Sequence, residues 1–250
     1  LALRGAHNKN KVLKISDSMK AYNERMDKEM LEGGKPVIKY YDGVSMNAIW
    51  AVPSLGIDPA TGREIYRKKD GRSTFTYDVN DMVICGDNLP KLNGSFSINL
   101  GYKGLGFNMT CIYELGAKMF NQTLIDRVEN VDMHYNVDRR VLEGRWQNPG
   151  DVVRFRSLKS YWDPETQTYP RDVQTKATSR FVQKKNELNI SSINISYDFY
   201  RYAFVKQIGL ERLSLAFYMN DVAKLSTIKT ERGLAYPFAR NYNFSLQMTF

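Results

Sequence analysis

The sequence predicts an all-β fold: antiparallel strands of the kind that make a transmembrane β-barrel segment, with long extracellular loops and a short helix. Three observations predict it. Apolar and polar residues alternate strictly over several windows of about ten residues. The polar partners in those windows are Asn, Ser, Thr, Gln and Gly rather than Lys and Glu. Aromatic residues, 16 Tyr and 12 Phe in the 250-residue chain, fall at window ends (Tyr102, Tyr113, Phe199, Tyr242, Phe250), where an interfacial girdle would lie.

In chain order, Ser16 to Leu31 has helix-forming composition, a Ser/Asp start and Gly33-Gly34 after it, and reads as a short amphipathic loop helix. Val44, Met46, Ala48, Trp50 and Val52 alternate as one strand, which Pro53 ends or places at an edge. Arg63 to Tyr66 and Thr74 to Tyr77 flank Lys69-Asp70-Gly71, an Asp-Gly turn joining a polar hairpin outside any membrane. Phe96, Ile98, Leu100 and Tyr102 then alternate, Lys103-Gly104 turns the chain, and Phe107, Met109, Cys111, Tyr113 and Leu115 resume the pattern. That is a hairpin of two ten-residue strands with Phe96, Ile98, Leu100, Phe107, Met109 and Cys111 on one outer face.

The stretch from Asn121 to Arg180 is long, polar and rich in turn signals, Asn148-Pro149-Gly150 and Asp163-Pro164 among them, and reads as a large insertion on one functional face. Ile193, Ile195, Tyr197 and Phe199 pair with Leu213, Leu215, Phe217 and Met219. Leu188 and Ile190 lie out of phase with them, so a bulge is expected near Ser191 and Ser192. The last window places Tyr242, Phe244, Leu246, Met248 and Phe250 on one face, against Asn243, Ser245, Gln247 and Thr249. About nine or ten strands are visible in all.

Period-two alternation suits both a membrane barrel and a soluble sandwich. The uncharged polar face and the aromatic strand ends favour the barrel. Mean hydropathy is −0.48, and no run approaches the length of about 20 apolar residues that a spanning helix needs. The net charge of +9 comes from scattered Lys and Arg with no DNA- or RNA-binding motif, so nucleic acid is not an expected partner and basic loops that meet anionic lipid or a ligand are the expected source. Cys85, Cys111, His7 and His134 have no metal-ligand spacing, and Asp58, Thr61 and Glu64 lack an EF-hand pattern, so no metal and no cofactor is expected. No nucleophile elbow, phosphate loop or zinc motif appears, so no enzyme activity is expected. Arg145, Trp146 and Asp151 are the loop residues best suited to a ligand, since Trp stacks on sugar rings and Arg and Asp bond hydroxyls. Packing of the loop is the competing role for them.

Five segments in order, Ser54 to Tyr66, Gly86 to Lys91, Arg145 to Asp151, Thr178 to Val182 and Tyr236 to Arg240, resemble those of the C-terminal third of SusC/RagA-type TonB-dependent transporters. The resemblance runs from about Asn8 to Phe250. It implies that residues 1–250 are the C-terminal part of one plugged barrel of about 22 strands, with the plug and TonB-contacting segments absent from this chain, which starts at Leu1 and not at Met. It further implies import of oligosaccharides or peptides across the outer membrane, with a SusD-like lid lipoprotein and the TonB complex as partners. The last strand, Tyr242 to Phe250, then resembles the signal read by the barrel-assembly machinery. A stand-alone small barrel acting as anchor or pore, and a soluble carbohydrate-binding sandwich, are the alternatives.

Overall fold

A computed structural model describes residues 1–33, 36–131, 137–158, 175–229 and 240–250, the side chains of 30–33 excepted. Gly34, His134, Trp162, the Asp163-Pro164 turn and 236–239 of the last resembling segment lie outside the described residues. Antiparallel strands dominate, with few short helices. The chain divides into two compact units, one of residues 1–8, 90–117 and 185–250 and the other of 9–89 and 118–184.

The first unit is built on a six-stranded sheet of order β1-β7-β8-β9-β10-β11. Its strands are β1 (Ala2–Ala6), β7 (Leu92–Tyr102), β8 (Leu105–Phe120), β9 (Val182–Asp198), β10 (Arg212–Ser226) and β11 (Tyr242–Thr249). The shorter strands between β1 and β7 in the chain belong to the second unit.

The β7–β8 hairpin has the expected register. Phe96 faces Cys111, Ile98 faces Met109 and Leu100 faces Phe107, so all six share one face. Its turn works because Lys103 and Gly104 both adopt positive φ, 48° and 91°, as the two-residue turns that match strand twist require. Gly104 also has no alternative, since a Cβ there would stand 2.4 Å from the Asp198 carbonyl oxygen.

β10 pairs with β9 through Leu215↔Tyr197, Phe217↔Ile195 and Met219↔Ile193, and with β11 through Met219↔Tyr242, Phe217↔Phe244, Leu215↔Leu246 and Leu213↔Met248. The expected bulge exists but in the partner strand. The register shifts between Asn220 and Ala223 of β10 while β9 moves only from Ser192 to Ile190, and Asp221 takes φ 51°. The extra residue therefore lies in β10. β9 continues its pleat unbroken, so Leu188 and Ile190 do turn to the other face, where they meet Leu225 and Ala223.

In the second unit, α1 (Asp17–Gly33) forms where the composition predicted it. Asn23 on this helix clamps the following segment: its amide donates to the Tyr40 carbonyl at 2.7 Å and its oxygen accepts from the Tyr40 amide at 3.0 Å. The strand expected over 44–52 shrinks to β2 (Ala48–Ala51), paired with β6 (Val83–Asp87). Ala48, Ile49, Ala51 and Val52 are all buried, so both faces of β2 meet protein. Its alternation was that of a core strand rather than a one-sided one.

The polar hairpin is present as a small sheet of β3 (Ser54–Ile57), β4 (Glu64–Arg67) and β5 (Ser73–Thr74). Tyr66 faces Thr74 across the turn, and Gly71 has φ 90°. Two cores close this unit: Val52, Val79, Met82 and Ala177 with Trp50, Tyr66 and Tyr77 around them, and Leu124, Ile125, Val128, Phe155 and Phe181 with Phe120 against them. Cys85 and Cys111 are free thiols.

Candidate functional site

Two places carry more chemistry than a fold needs: the faces of the large sheet, and the point in the second unit where three of the resembling segments meet.

The register puts Leu3, Phe96, Ile98, Leu100, Phe107, Met109 and Cys111 on one face of β1, β7 and β8. A Cβ on Gly106 would stand 2.6 Å from Ser196 Oγ, so even-numbered positions of β8 and β9 share the polar face and odd-numbered ones the apolar face. The apolar row then runs on through Ile193, Ile195, Tyr197, Leu213, Leu215, Phe217 and Met219 to β11. There Phe244 is 75% exposed and Phe250 83%. Along β8 the row spans ten residue steps, Leu105 to Leu115. At about 3.4 Å per step and a tilt of about 40°, its height is roughly 26 Å, matching the roughly 25 Å apolar band of membrane barrels.

The row stops at the β10 bulge. Beyond it, on the same face, Glu187 pairs with Lys224 at 2.8 Å and with Lys185 at 3.7 Å. At the opposite end of β9 and β10, Tyr197, Phe199, Tyr202 and Phe204 form an aromatic cluster with centroids 4.7 to 6.2 Å apart. Tyr197 and Tyr202 also join their hydroxyls at 3.0 Å.

In the second unit, Asp58 opens the turn before β4 as expected of an Asp-Pro start. It accepts from Thr61 Oγ1 at 2.6 Å and from the Ala60 amide at 3.2 Å, and these bonds hold its pKa below the ordinary carboxylate value. Glu64 lies apart from that turn's bonding and is buried. Its carboxylate takes two hydrogen bonds from Arg180, at 2.8 and 3.1 Å, and one from Thr178 Oγ1 at 2.8 Å.

Arg180 reaches a second buried carboxylate, Glu129 Oε1, at 2.6 Å. Glu129 is brought inward by a π-helical turn, Ile125–Glu129, that continues α2 (Gln122–Leu124), whose first turn is capped by Asn121 accepting from the Leu124 amide at 3.1 Å. Burial disfavours the Arg180 charge, but Glu64 and Glu129 outweigh it and hold its pKa above the ordinary value. The backbone follows the same link, with the Val52 amide donating to the Ala177 carbonyl at 3.2 Å and the Ser179 amide to the Val52 carbonyl at 2.9 Å.

The three loop candidates sit beside this link, each with its polar atoms bonded to backbone groups of the second unit. Arg145 is buried and donates to the carbonyls of Val141 and Arg156, both at 2.9 Å, and of Val128. Burial, helped by Arg156 and Arg180, draws its pKa below the ordinary value against the pull of Glu129. Trp146 donates to the Pro59 carbonyl at 2.8 Å, and its ring lies over Gly62. Asp151 accepts from the Gln147 and Asn148 amides at 3.0 and 2.9 Å, which lowers its own pKa.

Segments 54–66, 145–151 and 178–182 thus converge on one another. Sequence reading had picked out all three but not their meeting, and had missed Glu129 and Arg180 as its centre. A charge of each sign near the ends of a polar insertion was the only available signal.

Gly62 is irreplaceable on two counts. Its φ is +72°, and a Cβ would stand 2.6 Å from the Trp146 ring. Gly62→Ala should therefore destabilise the second unit by about 2 to 4 kcal/mol, from backbone strain and overpacking together. Chemical denaturation of wild type and variant reads this, and an unchanged midpoint would overturn the packing described.

No protein-family model matches the chain. The TonB-dependent receptor P39 of Formosa agariphila is 26% identical to it over 157 residues, 62% of this chain and 14% of that receptor. The solved RagAB peptide importer in its closed-closed state matches with a TM-score of 0.63 at 17% identity, covering 88% of this chain and 24% of that one. The open-open state matches with a TM-score of 0.61 at 17% identity, covering 84% and 23%. The chain therefore spans 14% of the curated relative and about a quarter of the solved chains. These likenesses fall on the kind of protein that the ordered segments resemble, SusC/RagA-type TonB-dependent transporters.

Proposed function

We propose that this chain is a length of the barrel of a SusC/RagA-type outer-membrane transporter, its large sheet set in lipid and its second unit built from extracellular loops. The observation that carries the reading is the row of apolar side chains on one face of the sheet, about as tall as a membrane's apolar band and ending in ion pairs at the β10 bulge. In lipid every backbone amide and carbonyl must be paired, which only a closed sheet achieves with strands. The edges at β1 and β11 are accordingly where further strands of a whole barrel would add.

Orientation follows from connection lengths, because barrels keep short periplasmic turns and long outer loops. The Lys103-Gly104 turn and the aromatic cluster mark the periplasmic end. Segments 9–89 and 118–184 leave from the other, so Asn121 to Arg180 belongs outside, where it would help contact a SusD-like lid lipoprotein. Import of a peptide or oligosaccharide, powered through TonB by other parts of the protein, is the matching activity. The relatives' names, a receptor and peptide importers, support transport rather than enzyme catalysis. Labelling of intact cells with an impermeant amine reagent tests the orientation. Lys176 should react and Lys103 should not, and the reverse pattern would overturn it.

β11 has a further role in this reading. Tyr242, Phe244, Leu246, Met248 and Phe250 offer an exposed apolar row beside a strand edge with no partner strand among the described residues, the arrangement that β-augmentation by the barrel-assembly machinery would use. Phe250→Asp costs only about 0 to 1 kcal/mol by burial at the interface, so a severalfold loss of folded barrel in the outer membrane would come from recognition. Unchanged amount and folding rate in cells would reduce Phe250 to a girdle aromatic.

A further inference from the structure

The second unit holds a cavity of about 490 Å³ between the α1 side and β6 that no part of the transporter reading uses. Its wall contains a buried cation. Lys39 is 5% exposed, and its ammonium has one oxygen partner among the described residues, Asp27 Oδ1 at 2.6 Å. It also lies 5.5 Å from the Tyr41 ring centroid and 5.9 Å from that of Trp50. An ammonium carries three donors, and an aromatic face stabilises its charge without accepting as an oxygen does. Donor capacity is therefore left on the cavity side.

The surroundings are preorganised. The two rings stand 4.9 Å apart, Trp50 Nε1 donates to the Lys39 carbonyl at 3.2 Å, and the Asn23 clamp fixes Tyr40 between Lys39 and Tyr41. Lys69 and Asn80 also line the cavity. The described lining thus holds two lysines and one acid, Asp27, beside two aromatic rings, and Asp81, whose Oδ1 accepts from the Lys69 amide at 2.9 Å, lies outside it.

We propose that this cavity binds an organic carboxylate carried on a ring or a short apolar body. The carboxylate would take the spare Lys39 donors in a charge-assisted hydrogen bond, with Lys69 adding attraction from the rim, while the body packs on Trp50 and Tyr41. A uronic acid and the free C-terminus of a peptide with an apolar last residue share this chemistry.

The test is calorimetric titration of the full-length protein in detergent with four probes. They are N-acetylphenylalanine and its amide, and the methyl glycosides of glucuronic acid and of glucose. At least one acid should bind, at least about tenfold more tightly than its neutral counterpart, and the tighter acid identifies the source. Lys39→Met should abolish binding. Lys69→Ala, at an exposed position, should leave the melting temperature unchanged and weaken binding severalfold, which keeps the test meaningful if the Lys39 variant folds poorly. Neutral probes binding as well as acids, no acid binding at millimolar concentration, or full affinity in Lys69→Ala would each overturn the proposal. Transport assays play no part, so a failure here is distinct from a failure of the transporter reading.

Discussion

Arg180→Ala is expected to destabilise the second unit by about 3 to 5 kcal/mol, the usual cost of removing one partner from a buried ion pair. Replacing the whole cluster by apolar groups could be nearly neutral. Removing only the cation is not, because it leaves Glu64 and Glu129, with side chains 4% and 0% exposed, without their chief counter-charge. Arg180→Lys should recover only part of the loss, since an ammonium cannot reproduce the two-pronged contact with Glu64 together with the bond to Glu129.

The sign of the pH dependence is also set. In Arg180→Ala the stranded carboxylates are expected to resist ionisation, because burial without a counter-charge disfavours the charged form. Such groups favour folding when protonated and oppose it as pH rises through their folded pKa. The gap between wild type and variant should therefore widen from pH 5 to pH 8. Denaturant unfolding at several pH values, or the rate of proteolysis within 118–184, reads both effects. Equal stability at pH 8 would mean that the cluster does not hold these segments together.

The second large effect concerns the sheet. Phe217→Lys should cost about 2 to 4 kcal/mol of barrel stability, the range for a lysine facing lipid near the bilayer midplane. Phe217 lies inside the apolar row, facing Ile195 on one side and Phe244 on the other, with the Phe244 ring centroid at 5.1 Å. Its neighbour Tyr218 points to the opposite face, so Tyr218→Lys introduces the same charge one residue away and should cost well under half as much. The folded fraction of each full-length variant, refolded into vesicles and separated from unfolded chain by gel mobility, measures the difference. Equal losses would show that the two faces do not meet different solvents, and the lipid-facing reading of the apolar row would fall.

The membrane-type strands were legible because their constraint is local. Each residue from Leu213 to Met219 or from Tyr242 to Phe250 has its face set by the pleat, so a period of two in the chain becomes two chemically distinct faces in the sheet without help from elsewhere. The Lys103-Gly104 and Asp70-Gly71 turns were legible for a related reason, since positive φ selects for glycine within a few residues.

Where tertiary surroundings decide, the same reading slipped. Val44 to Val52 alternates as convincingly as the strands of the large sheet, yet only Ala48–Ala51 form a strand, paired with β6, and residues on both of its faces are buried. The phase change at Ile190 is real in the sequence, but nothing local says which of two paired strands carries the extra residue. The answer, Asp221 in β10, depends on a partner about thirty residues away.

Arg145, Trp146 and Asp151 have side chains equally suited to a ligand and to a loop, and only the structure shows which backbone groups each of them bonds. The sequence by itself determined the strand periods, the turns and the helix read over Ser16 to Leu31, which rest on neighbours within about ten residues, and the family resemblance, which rests on the order of five segments along the chain. Only the tertiary structure decided that Glu64, Glu129 and Arg180 meet in one buried cluster and that Lys39 faces a cavity. Ion pairing and burial depend on distance in space, and partners separated by 51 to 116 positions along the chain leave no periodic trace in it.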